Sequence, residues 1–191
     1  MRNIGIIGLV AFLSLVTACS NGQTNSDSKK KNKIETVAHV IPEFDIQFPV
    51  TEFKVEKTES RDPNLENILI TNWILQGAKQ NKPFMYFIAH NAFPNKLKVL
   101  EKTDPNLLNE SFKAMLAGSA TKLGGTDFEF KQITYKNYIG MESICKVFNG
   151  DGIIKSRVYK IDNDLFMISA GGQQIDIESV DKFLNSFGLK K

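Results

Sequence analysis

The sequence predicts an α+β domain, an antiparallel β-sheet flanked by helices. Three observations carry this expectation. Two segments repeat apolar residues at helical spacing, Leu108/Phe112/Met115 and Ile177/Val180/Leu184/Phe187. Most of the remaining chain between Phe44 and Ala170 falls into runs rich in β-branched and aromatic residues. The last of these runs are joined by Asn149-Gly150-Asp151-Gly152 and Asp162-Asn163-Asp164, connections that close hairpins and are too short for parallel crossovers. Strands, helix, strands, helix is an order that places helices against a largely antiparallel sheet.

Taken along the chain, Phe44, Ile46 and Phe48 alternate with Asp45 and Gln47, a half-buried strand. Residues 53–58 form a weaker, polar strand. Residues 68–75 and 84–90 are continuous apolar runs, expected as central strands covered on both faces. The first helix starts with Asp104 as N-cap and Pro105 as its first helical residue. Its buried stripe is Leu108, Phe112, Met115 and Leu123, with Leu107 and Leu116 alongside, and Gly124-Gly125 stops it. Strands over 128–135, 141–148, 153–161 and 165–170 then follow as a meander. The second helix begins near Asp176, includes Phe183 on its apolar side, and ends at Gly188. Asp-Pro-Asn-Leu occurs twice, at Asp62–Leu65 and Asp104–Leu107, as turn or helix-start chemistry.

The 191 residues are 42% hydrophobic and 24% charged, an ordinary globular balance that excludes bulk disorder, a collagen-like chain and a polytopic membrane protein. The net charge of +3 is too small for a nucleic-acid binder by composition. Lys and Arg interleave with acids and form no stripe with stacking aromatics. Two Cys exclude a disulfide-stapled scaffold.

The N-terminus divides the chain into a signal (1–18), an anchor and tether (19–33) and a globular domain (34–191). Met1-Arg2-Asn3 is a short positive start, followed by the apolar run 4–16. At about 13 residues this run is too short to span a bilayer and fits a secretory signal. It ends Leu15-Val16-Thr17-Ala18-Cys19-Ser20, which resembles the bacterial lipoprotein lipobox, with Val16 where Leu is commoner. The resemblance implies that the Cys19 thiol takes a diacylglyceryl thioether and that cleavage before Cys19 frees an amine for acylation. Two or three acyl chains anchor stably where one does not. Ser20–Lys33 contains no large apolar residue and reads as a tether, about 14 residues with an r.m.s. reach of roughly 20 Å. Within it Lys29, Lys30 and Lys31 form a solvated basic run. Ser20, where Asp commonly marks inner-membrane retention in two-membrane bacteria, implies the outer membrane of such a cell, or the outer face of a single membrane.

The order of pieces in the domain resembles the PsbP-like superfamily, which includes the Mog-type Ran-binding proteins and many bacterial lipoproteins. The matching residues are Ile46-Gln47-Phe48-Pro49, Lys82–Ile88, Tyr138-Ile139-Gly140-Met141-Glu142, Arg157-Val158-Tyr159 with Asn163-Asp164-Leu165-Phe166, and Phe183-Leu184-Asn185-Ser186-Phe187. They span most of residues 44–189. The resemblance implies an α/β/α sandwich around an antiparallel sheet and a role in binding other proteins, with no shared catalytic motif and no cofactor to carry over.

Residues with chemical potential are few. His39 sits in the lead to the domain; His90 ends the run Phe84/Tyr86/Ile88, where it reads as a strand-end histidine bonded to backbone or water rather than as a catalytic base. Cys145 lies mid-strand and reads as a buried, inert thiol. The two Asp/Asn-rich turns lack the ligand spacing of an EF-hand, so no metal is expected there. Gly124-Gly125 and Gly171-Gly172 lack the Gly-Lys-Ser/Thr of a phosphate loop and read as turns and caps. Trp73 reads as core, with a pocket wall or partner anchor as the alternative.

The expected function is that of a membrane-anchored envelope lipoprotein acting as a non-catalytic interaction module. Its expected partners are membrane lipid through acylated Cys19 and another envelope protein. The alternatives are a carrier of a small apolar or lipidic ligand, its pocket lined by Ile68–Leu75 and Phe84–Ile88 and favoured by a cavity under Leu108 and Phe112, and a hydrolase with an unrecognised site, favoured by a cluster of His90 with a Ser and a carboxylate in a cleft.

Overall fold

The computed structural model describes residues 43–49, 52–62, 68–92 and 105–190. In chain order these form β1 (Phe44–Asp45), β2 (Glu56–Asp62), β3 (Ile68–Lys79), β4 (Lys82–Ala92), α1 (Pro105–Thr121), β5 (Thr126–Tyr135), β6 (Tyr138–Val147), β7 (Gly152–Ile161), β8 (Asp164–Gln173), α2 (Ile177–Asn185) and β9 (Gly188–Leu189). Seven strands make one sheet in the order β2-β3-β4-β8-β7-β6-β5, every neighbouring pair antiparallel. Two meanders meet where β4 pairs with β8. The chain leaves β4 near the sheet centre, and α1 carries it across one face to β5 at the far edge.

The architecture corrects the predicted fold class. Strands hold 57% of the described residues, and the α-helices among them are α1 and α2 alone. The molecule is β-rich, not an α+β sandwich with its sheet flanked by helical layers, and the sandwich implied by the PsbP-like resemblance is corrected with it. Apolar runs understate the strands. Ladder hydrogen bonds carry β3 through Gln76–Lys79, and β8 through Gly171–Gln173, beyond the runs that announce them. Helical periodicity locates a helix but says nothing of how much sheet it covers. Much of the face under α2 is instead closed by Phe44, Ile46, Phe48 and Phe53.

Period-two alternation in β4 and β8 supplies both faces of the core. Tyr86, Ile88, Phe166, Ile168 and Ala170 turn towards α2 and meet its Val180, Phe183 and Leu184. Phe87, Ala89, Leu165 and Met167 turn towards α1 and meet its Leu108, Phe112 and Leu116. These continuous apolar strands are thus buried on both sides. β3, expected to be central as well, stands one place from the edge and is only half-buried over much of its length.

Three local differences have physical causes. The alternating 44–48 segment forms only the two-residue β1, paired with β9 just past the end of α2. The polar strand lies at 56–62 rather than 53–58, because Phe53 is drawn onto Phe84, ring centroids 5.5 Å apart. Gly171-Gly172 is neither turn nor cap but lies inside β8, where a Cβ on Gly171 would sit 2.4 Å from the Ile153 carbonyl oxygen. Gly124 does end α1, at φ +79°, with its N–H and that of Gly125 donating to the carbonyls of Thr121 and Ala120.

Candidate functional site

The sequence-predicted residues are dispersed. Cys19, the tether 20–33 and His39 lie outside the described residues. His90 is buried in β4, its ring against Phe166 with centroids 4.7 Å apart. Its Nε2 lies 3.2 Å from Asp164 Oδ1, without the alignment of a hydrogen bond. The strand-end reading missed this carboxylate, which β4–β8 pairing brings to the same face. Each member of the pair is only 1% exposed, so a substrate could not reach it without opening the core. Cys145 is buried beside Ala120, Val147 and Ile154, and burial pushes its thiol pKa up. Trp73 is half-buried and meets Phe44 edge-on at 5.0 Å, closing the N-terminal segment onto the sheet. In the turns, the Asp151 carboxylate accepts hydrogen bonds from Gln173 and Gln174, and Asp164 turns inward. Among the described residues no three His, Cys, Asp or Glu side chains converge.

A cleft of about 310 Å³ lies between the first half of α1 and the edge strand β5. Asn106, Asn109, Glu110 and Lys113 line it from the helix, three to four residues apart and therefore on one side, next to the buried stripe Leu108/Phe112. Phe130 and Gln132 line it from β5, and Met141 of β6 forms its floor. Glu110 and Lys113 pair at 2.8 Å on the helix.

The strand beside the cleft is the outermost of the sheet, with no partner along its other edge among the described residues. Phe128 and Phe130 sit on its α1 face as a stacked pair, centroids 6.0 Å apart and planes 8° apart. Glu129 and Lys131 project from the opposite face and are exposed. A bulge near Asp127, at φ 53° and paired with Lys146 at 3.2 Å, ends regular pairing at one end. The edge at the other end of the sheet differs. β2 reads Glu-Lys-Thr-Glu-Ser-Arg-Asp, a fully polar strand of the kind that discourages edge pairing.

Chemically the cleft offers amides, one ion pair and an aromatic wall next to unpaired strand backbone, a setting for an extended polypeptide. Sequence reasoning missed Asn109, Lys113, Phe130 and Gln132 as a group. The half-polar alternation of β5 was a signal for an exposed strand, but the neighbouring helix face came from tertiary packing. No family model, no curated protein and no solved structure matches this chain.

Proposed function

We propose that this chain is a cell-envelope lipoprotein, anchored through acylated Cys19, whose folded domain is a non-catalytic interaction module for a protein in the same envelope. The observation that carries the binding role is the open β5 edge beside the α1 cleft. Strand addition at such an edge gives affinity through backbone hydrogen bonds, and the adjoining cleft gives specificity through alternate side chains. The lipobox-like Leu15–Cys19 and the polar stretch after it support the anchoring. The tether's limited reach would hold the domain close to the membrane and raise its effective concentration for partners there. Leu108 and Phe112 are fully packed against the sheet, which favours the interaction role over a ligand carrier with a cavity beneath them.

Two measurements test this reading. Intact mass spectrometry of the full chain from its native envelope is expected to show acyl mass on Cys19; a bare Cys19 removes the anchoring. A photo-crosslinking residue at Gln132, in the cleft, is expected to trap a protein in living cells, while the same probe at Thr58 on β2 traps none. Equal trapping at both positions, or none at either, removes the β5 interface.

A further inference from the structure

We infer that the partner at the β5 edge is a second copy of this chain, joined by antiparallel β5–β5 pairing about a two-fold axis at Phe130. The inference rests on the reading of the β5 side as an interaction surface and names its occupant. A two-fold axis perpendicular to the sheet keeps both α1 helices on one face, so directly opposed residues must share a face and their numbers must sum to an even value. Centring on Phe130 sets Glu129 of each copy opposite Lys131 of the other, giving two equivalent ion pairs. The neighbouring allowed registers, centred on Glu129 or Lys131, oppose like charges at the axis, which destabilises the pairing. Glu129 and Lys131 are both exposed, and among the described residues neither is in an ion pair. Glu142, which stands across from Lys131 within the sheet, is already held by Arg157 and Lys155.

The other face of the strand fits the same register. Phe130 meets its own copy across the axis, and Phe128 meets Gln132, so the two Phe128/Phe130 stacks form one aromatic band between the two clefts. Two-fold pairing uses the one open β5 edge of each copy, so association stops at a closed dimer, and the bulge near Asp127 confines the pairing to the segment around the axis. The charged β2 edge opposes further growth of the sheet.

Sedimentation equilibrium of the full lipidated chain in a density-matched non-ionic detergent tests this. The wild type is expected to be a reversible dimer. Glu129→Lys or Lys131→Glu alone is expected to weaken it by about tenfold or more, and the double exchange to restore it to near wild type, because like charges then become unlike again. Both positions are exposed, so matching thermal melts establish that each variant is folded. The probe at Gln132 is expected to crosslink residues near Phe128 of a second copy. A wild type that stays monomeric, or a dimer indifferent to the single exchanges, overturns the inference. If the chain is monomeric while Gln132 traps a different envelope protein, self-pairing fails and the interaction reading stands. If it is monomeric and Gln132 traps nothing, both fail.

Discussion

Arg157 stands directly across the sheet from Glu142, its Nε 2.7 Å from Oε2, while its Nη1 donates to Asn185 Oδ1 of α2 at 2.8 Å. Lys155 adds a second link, 2.7 Å to Asp181 of α2 and 3.5 Å to Glu142. The Arg157 and Glu142 side chains are 15% and 16% exposed, so their pairing is less screened than a surface ion pair. The network fastens α2 to β6 and β7 where its apolar face ends. Arg157→Ala is expected to cost about 1–3 kcal/mol in urea unfolding, since it strips two charge-assisted hydrogen bonds from Glu142 and Asn185. Arg157→Lys should recover only part, because an ammonium lacks the fork that reaches both partners.

Gly171 tests the close packing of β7 on β8. A methyl group there would sit 2.4 Å from the Ile153 carbonyl oxygen and 2.8 Å from the Ile154 Cα, both backbone atoms that cannot swing aside. Gly171→Ala is expected to destabilise the fold by about 1–3 kcal/mol, and Gly171→Val by more, as read by thermal and denaturant unfolding.

Asp176 caps α2, its carboxylate accepting from the Ser179 hydroxyl and from the backbone N–H of Glu178 and Ser179. These bonds, that of the Ser179 side chain first, hold its carboxyl pKa below the ordinary value. A carboxyl lowered in the folded state is protonated more readily in the unfolded chain. Its contribution to stability is therefore complete above the ordinary carboxylate pKa and is lost as pH falls through the lowered one. Asp176→Asn is expected to reduce the loss of stability between pH 5 and pH 2 while keeping a capping oxygen; Asp176→Ala should lower stability at neutral pH as well, both read from melting temperatures across that range.

Cys145 should be chemically silent in the folded protein. Desolvation raises its pKa, with a smaller opposing effect from a backbone hydrogen bond at Ile154, and its side chain is enclosed by Ala120, Val147 and Ile154. Pulsed alkylation at pH 8 is expected to modify it only along the unfolding transition, with the modified fraction tracking loss of the native signal. Rapid labelling under native conditions would show instead that α1 opens locally over β6.

Phe44 joins the start of the described chain to the core. Its ring lies 5.0 Å from Trp73 and 5.4 Å from Phe166, and β1 is otherwise held by the short ladder to β9 and by the Lys190 N–H donating to the Glu43 carbonyl. Phe44→Ala is expected to lower stability by about 2–3 kcal/mol, from the lost burial of a large ring. Trp73 fluorescence is expected to shift to longer wavelength as that face becomes wetter.

The local elements were legible in short stretches of residues. Apolar residues at helical spacing located α1 and α2, Asp176 marked the start of α2, Gly124 marked a stop, and the Asp/Asn-rich turns marked the β6–β7 and β7–β8 hairpins. Each of these is written within a few residues, in spacing or in the backbone preference of one side chain. The pairing of β4 with β8, the closure of β1 on β9, and the partial cover that two helices give a large sheet arise only from long-range packing. So do the meeting of His90 with Asp164, the burial of Gly171 in a strand, and the exposure of β5 beside α1. Those features depend on contacts between segments far apart in the chain, where the free energy lies in burial and ladder hydrogen bonds between partners and leaves no local period to read.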